Sequence, residues 1–384
     1  MTIFSQTNKT KVYLGLGLLA ATLVMANKAQ AELRYNITDL GHVWPDGINN
    51  SGQIAGEAIN FDNDGSYLIN AFVSNNYGQM INLGTLKGGI HSYAKAINAS
   101  GQVAGSSGRT TDYGAYSDHA FVTATSGEMI DLGTLGVGSY SSAAYGINDS
   151  GLVTGMSYIS YNNHHAFVTN ENGVMIDLGT LGGDGSSYGL GINNSGQVTG
   201  TSRDDFIDRA FVTNSDGQMI DLGTLGGPES YGTAINDLGQ VTGYSQTSAG
   251  SPWRAFVTNN DGIMIEIGSD LSPSGFSLGR GINNLGQVVG YYHDDTYSED
   301  KAFVAVDGAL MDLTTLLVAS ATGWTLSDAF DINDVGQIVG QGIHNGYTRG
   351  FILTPAAVPI PAAAWLFGSG LIGLLRFKRN HITV

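Results

Sequence analysis

The pattern Ile-Asn-x-x-Gly occurs seven times, beginning at Ile48, Ile97, Ile147, Ile192, Ile235, Ile282 and Ile332, at spacings of 49, 50, 45, 43, 47 and 50 residues. A motif returning at such a period marks one small supersecondary unit, repeated. Each unit cannot bury its apolar face alone, so the copies must stack on one another. Between these copies lies Ala-Phe-Val at 71–73, 120–122, 166–168, 210–212, 255–257 and 302–304, with Gly350-Phe351-Ile352 as the last. A third element, Met-Ile-Asp-Leu-Gly, stands at 129–133, 175–179 and 219–223, with variants at 80–84, 264–268 and 310–314.

Each unit predicts two hairpins. Asn98-Ala99-Ser100-Gly101 has Asn opening a turn and Gly closing it, and the apolar run from Gln102 to Gly105 returns as a strand. The second hairpin joins Ala255–Thr258 to Met264–Ile267 through Asn259-Asn260-Asp261-Gly262. Short strands of Val, Ile, Phe and Thr with regular turns indicate antiparallel β structure, and no stretch of the middle holds a helical period. Four short strands in about 46 residues is the size of one propeller blade.

Counting the elements gives an argument for closure. There are seven Ile-Asn turns and seven Phe strands, but only six Met-Ile-Asp-Leu-Gly strands follow them. The seventh copy stands at the start, as Asn36-Ile37-Thr38-Asp39-Leu40-Gly41. An N-terminal strand that completes the last blade would close a ring and leave no free edge between the first and last repeats. The expected fold is therefore an all-β, seven-bladed propeller over residues 32–355, with an open β-solenoid as the alternative.

These repeats resemble the HAF family of extracellular repeats, named for a His-Ala-Phe core that stands intact at His119-Ala120-Phe121 and His165-Ala166-Phe167. The other copies carry Asn70, Arg209, Arg254, Lys301 or Arg349 in the His position. The resemblance covers nearly all of residues 36–354 and brings no established activity with it. Variation at the His position argues against a His-dependent function common to all repeats.

The two ends are addresses. Residues 1–31 hold Lys9 and Lys11, an apolar run from Val12 to Ala26, and the small-x-small site Ala29-Gln30-Ala31, which together indicate a secretory signal peptide cleaved after Ala31. At the other end, residues 356–384 contain Val358-Pro359-Ile360-Pro361, an apolar helix expected over 362–375, and the basic residues Arg376, Lys378 and Arg379. The fourteen residues of that helix fall short of the roughly 20 of a full span. The basic end would stay on the cytoplasmic side. This tail resembles the PEP-CTERM sorting signals of Gram-negative bacteria, in the variant with a Val-Pro-x-Pro-Ala core; Ile360 stands where the Pro-Glu-Pro form has Glu. The resemblance implies recognition by an exosortase-like processing enzyme. It also implies a precursor anchored in the inner membrane by the C-terminal helix, facing the periplasm, and then a cell-surface or extracellular protein.

Composition removes several chemistries. Zero Cys excludes disulfides, thiolate zinc sites and Cys nucleophiles. Setting aside three basic residues in each end segment, the middle carries 10 basic against 33 acidic residues, a net of −23. Such a surface has no footprint for nucleic-acid phosphates. No Gly-x-Ser-x-Gly elbow stands with an identifiable base, and Leu-Gly-Thr-Leu-Gly-Gly at 178–183 and 222–227 lacks the Lys-Ser/Thr of a phosphate loop. Asn60, Asp62 and Asp64 match the opening of a calcium loop, but Ala71 occupies the place of the closing Glu. No catalytic residue and no cofactor is assigned, calcium at these three residues being the single candidate.

In a four-strand meander, the turns after the first and third strands share one end, and the loops after the second share the other. The Asn-x-x-Gly turns form the first end. The loops of the other end, expected to span 9 to 14 residues, hold Tyr113, Tyr116, Tyr158, Tyr161, Trp253 and Tyr292, with Tyr67 and Tyr297. Aromatic faces among Asp, Asn and Ser suit sugars or protein surfaces. The expected role is a non-catalytic binding or structural module of the envelope or the exopolysaccharide matrix. The alternative is a secreted carbohydrate-active enzyme, which would need two carboxylates about 5–10 Å apart in one pocket.

Overall fold

Each Ile-Asn-x-x-Gly copy folds as a tight turn between the first and second strands of a four-stranded antiparallel sheet. In the fourth sheet the strands are Ser186–Ile192, Val198–Asp204, Ile207–Thr213 and Met219–Asp221, paired in that order. The computed structural model describes residues 33–61, 67–75, 78–110, 116–137, 140–183, 185–204, 206–268, 274–293 and 299–356. Seven such sheets are the blades of a β-propeller. Their inner strands are Val43–Ile48, Ser92–Ile97, Ser142–Ile147, Ser186–Ile192, Ser230–Ile235, Ser277–Ile282 and Trp324–Ile332. Each inner strand touches the next, and the last touches the first. The ring is closed, and the open solenoid is excluded.

Closure is made as the strand count requires. The seventh blade runs Trp324–Ile332, Ile338–His344, Tyr347–Pro355, and then the N-terminal strand Tyr35–Gly41 on the outside. Tyr35 is buried at 1% exposure, and burial pushes its phenol up to about 12. Its carbonyl accepts from the Val318 N–H at 3.0 Å. The propeller unit is Tyr35–Thr354; of the flanking residues, only 33–34 and 355–356 are described.

The core lies between blades. One Phe per blade (Phe72, Phe121, Phe167, Phe211, Phe256, Phe303 and Phe351) is buried at 0–2% exposure. Phe121 of blade 2 packs on Ala55 and Ala71 of blade 1, and Phe167 of blade 3 packs on Ala104 and Ala120 of blade 2. Large on small is the complementarity that lets twisted sheets stack, and each buried Phe stabilises the stack by about 2–3 kcal/mol. The Gly of the returning strand is required by close approach: a Cβ on Gly200 would lie 1.8 Å from the Tyr188 carbonyl oxygen.

The His of the His-Ala-Phe core is part of this scaffold. Nδ1 of His119 meets Asp131 at 2.8 Å, and Nδ1 of His165 meets Asp177 at 2.8 Å. Both Asp residues belong to Met-Ile-Asp-Leu-Gly on the outer strand. In two of the blades where His is replaced the partner changes with it: Asn82 donates to Asn70 at 3.4 Å, and Arg254 pairs with Glu266 at 3.5 Å, whereas the blades with Arg209, Lys301 and Arg349 keep Asp in the outer strand. The two motifs are thus the two halves of one cross-strand pair.

The loops between second and third strands are shorter than the expected 9 to 14 residues. They span two to eight, because the ladder runs on through polar sequence. Ser107–Thr110 pairs with Tyr116–His119 despite its low strand propensity, since backbone groups pair whatever the side chain. Among the described residues no helix is long and apolar enough to cross a membrane. The expected signal segment with Ala29 and Ala31, the motif Val358, Pro359 and Pro361, the helix 362–375, and Arg376, Lys378 and Arg379 lie outside the described residues.

Candidate functional site

The two ends of the propeller are built on different rules. At the turn end, the Asn of every turn reaches the next blade. Nδ2 of Asn49, Asn98, Asn148, Asn193, Asn236, Asn283 and Asn333 each donates to the backbone carbonyl of the following Asn, at 2.9–3.1 Å, and the last donates to the first. All seven are 2–5% exposed. Within its own turn, Asn193 Oδ1 accepts from the Ser195 and Gln197 N–H groups, and its Nδ2 also donates to Gln197 Oε1. Every hydrogen-bonding position of the amide is used, which is why no shorter or charged side chain replaces it.

A second ring lies outside the first. The next residue in each turn is Asn50, Ala99, Asp149, Asn194, Asp237, Asn284 or Asp334. From Ala99 to Asp334, each backbone N–H donates to the side chain of the following turn, at 2.8–2.9 Å. Acid and amide alternate from Asp149 to Asn50. An odd ring cannot alternate throughout, and the break falls at Ala99.

The opposite end does not repeat. His164, at the start of the third strand of blade 3, packs between Tyr158 and Tyr188, with ring centroids 5.4 and 4.3 Å away. Burial, His165 and Arg203 together hold His164 below its ordinary pKa. In blade 4, Arg203 donates from Nε and Nη2 to Asp208 at 2.9 and 2.7 Å, and Tyr231 of blade 5 donates to the same carboxylate at 2.5 Å. Tyr231 stacks on Tyr244 at 4.7 Å, with Trp253 edge-on to both at 5.3 and 5.4 Å. One band of rings and ions therefore crosses blades 3, 4 and 5. In the loops between the second and third strands of blades 3 and 4, Tyr161 is 87% and Phe206 91% exposed. Phe206 has φ of 70°, a left-handed conformation that a Phe adopts only at a cost of about 1 kcal/mol.

The inner strands bring charges to the axis. Lys95 Nζ contacts Glu57 at 2.5 Å and Asp46 at 3.2 Å. Arg280 belongs to the inner strand of blade 6, two blades from Asp46. Burial raises Asp46, while Lys95 works against that rise; the ammonium itself, opposed by burial, is held above its ordinary value by Asp46 and Glu57. Arg280 donates to Asp328 at 3.0 Å and lies over the Tyr291 and Phe330 rings at 5.1 and 5.9 Å. Asp46 and Glu57 share one lysine.

Of the aromatics expected on this end, Tyr158 and Trp253 belong to the band, and Tyr161 is exposed in the loop after Tyr158. Tyr292 does not: it is 8% exposed in the core of blade 6, where its hydroxyl donates to Asp312 at 3.3 Å. The alternation of its strand turns it inward. Tyr116 begins its strand opposite Thr110, and Tyr113 lies outside the described residues. Asn60 is in a strand, paired with Leu68, whereas Asp62 and Asp64 lie outside the described residues. Tyr188, Tyr231, Tyr244, Arg203 and Phe206 were not legible as site residues. Phe206 follows Asp204-Asp205, and this short polar turn was the one signal that could have marked it.

No family model and no curated protein matches the sequence. Among solved structures, the chain is similar to TolB from Acinetobacter baumannii, at 10% identity and a TM-score of 0.42, covering 80% of this chain and 64% of that one. It is also similar to virginiamycin B lyase from Staphylococcus aureus, at 12% identity and a TM-score of 0.45, covering 84% and 99%. The chain thus spans about 64% of the length of the TolB chain. At these values neither name transfers to it.

Proposed function

We propose that this protein is an exported, non-catalytic recognition module that binds polysaccharide of the envelope or extracellular matrix with the aromatic end of its propeller. The observation that carries the proposal is the contrast between ends. One end is a hydrogen-bonded ring of near-identical turns; the other bears a band of aromatic rings with Arg203, Asp208 and His164 that no repeat rule requires. Flat apolar faces beside planar polar groups match the two surfaces of a sugar ring, and binding groups concentrate where a rigid scaffold lets positions vary. The signal peptide and the Val-Pro-Ile-Pro tail support export and handling by an exosortase-like enzyme, with the C-terminal helix holding the precursor in the membrane.

The alternative, a carbohydrate-active enzyme, has Asp46 and Glu57 as its carboxylates. Lys95 Nζ stands against both, at 3.2 and 2.5 Å, and an ion-paired cluster of this kind favours the binding reading. A glycan array probed with the purified protein tests the proposal. Retention of a defined class of glycan without release of reducing ends is the expected result. Release of reducing ends from a retained glycan, abolished by Asp46→Asn, would establish the enzyme instead.

A further inference from the structure

We propose that the turn end is a second interaction surface, one that docks a basic polypeptide segment with an apolar face. It is independent of the aromatic end. The third residue of the turn is Ser51, Ser100, Ser150 and Ser195 in blades 1–4, but Leu238, Leu285 and Val335 in blades 5–7. These three are 66%, 70% and 58% exposed. The turn does not ask for them. Its Asn accepts from the third residue's N–H at 3.1 Å whether that residue is Ser195 or Leu238. The three turns are consecutive around the ring and bonded to one another, Asp237 N–H to Asn284 and Asn284 N–H to Asp334, both at 2.8 Å. The result is one apolar arc over three adjacent blades, with Ser on the other four.

The charge beside the arc selects its occupant. Asp237 and Asp334 precede Leu238 and Val335 in the same turns, and Asp149 completes a ring of three carboxylates around the channel mouth, a cavity of about 190 Å³. No Lys or Arg stands in any of the seven turns. A second copy of the chain would set these carboxylates against their own kind, and an anionic membrane would be repelled in the same way. A segment with apolar side chains for the arc and a Lys or Arg for the mouth satisfies both features, since an apolar anchor beside a complementary charge is the pattern of a docking hot spot.

The test uses the full chain and a short synthetic peptide of leucine and lysine, with binding read by fluorescence anisotropy. In the variant L238S/L285S/V335S each turn receives the residue that blades 1–4 already carry, so the fold is expected to persist with an unchanged melting temperature. Binding of the leucine–lysine peptide should weaken about tenfold or more in this variant. In D237N/D334N it should weaken and lose part of its salt dependence. A peptide with glutamate for lysine should not bind. Equal binding by the triple-serine variant would overturn the proposal. So would equal binding of a serine–lysine peptide, or a dimer of the parent protein that the triple variant abolishes. Should the triple variant melt earlier, L285S alone gives the same comparison.

Discussion

The side-chain amide of Asn333 donates to the backbone carbonyl of Asn49 at 2.9 Å, across 284 residues of chain. It is the seventh bond of a ring whose other six join neighbouring repeats, and its length matches theirs. Asp331 Oδ2 accepts from the Ile48 N–H at 2.9 Å across the same seam. The other six blades have Gly47, Ala96, Gly146, Gly191, Ala234 or Gly281 at the Asp331 position. The closing seam thus follows the repeat rule at Asn333 and adds a carboxylate of its own.

Replacing one Asn of the inner ring should be costly. Asn193→Ala removes bonds to Asn236, Gln197 and Ser195 at a site 2% exposed, and leaves the buried Asn236 carbonyl without that donor. The expected loss is about 2–4 kcal/mol in a denaturant titration. Asn194→Ala, on the exposed outer ring, should lose about 0.5–1.5 kcal/mol, because Ala99 already holds that position in blade 2. Equal losses at the two positions would contradict the ring's role.

Removing residues 32–41 takes away the outer strand of blade 7 and bares the edge of Tyr347–Pro355. Unpaired edges recruit other chains. A lower melting temperature and aggregation are expected, partly reversed by adding the 36–41 segment as a peptide. Melting identical to the parent would mean that the strand does not hold the ring.

Stability should be greater near about pH 5 than near about pH 8. Burial raises Asp328 and Asp331 to about 6 and also raises Asp46. A carboxyl in the unfolded chain titrates near 3.9. The folded state therefore binds these protons more tightly, and the stability they contribute is fully present below the unfolded value and is lost as pH rises through about 6. Asp39 and Asp131 act oppositely. Burial opposes them, but Gly41 and His344, or His119 and Gly133, hold them low, so their contribution is lost in stronger acid. Thermal melts across this range should show the fall, and Asp331→Asn should flatten it. Melting that rises steadily toward alkaline pH would contradict the assignment.

How much of this was legible follows from what repeats. The turn Asn, the buried Phe and the strand Gly recur because each copy meets the same neighbour, so the period alone gave seven blades and pointed to the strand at Tyr35–Gly41. The Asn ring was not legible, since its acceptor is a backbone carbonyl of another repeat and only closure brings it into reach. Tyr292 and Tyr158 look alike in sequence, and the phase of their strands decides which is buried. Tyr231 and Tyr188 sit on inner strands, where a sequence shows only alternation.

Intact-mass measurement on protein from its native host should give a mature form that begins at Glu32 and ends near Pro359. Chains that keep residues 362–384 at full occupancy would indicate a plain membrane anchor without exosortase-like processing.

The most direct measurement is the affinity for a captured glycan of variants at the two ends. Trp253→Ala, Tyr161→Ala and Phe206→Ser should each cost about 0.5–2 kcal/mol of binding. Tyr292→Ala, buried in blade 6, should act through stability alone, and Ser195→Ala in the turn ring should leave affinity unchanged. Losses confined to the turn end, with none at Trp253, Tyr161 or Phe206, would contradict the account.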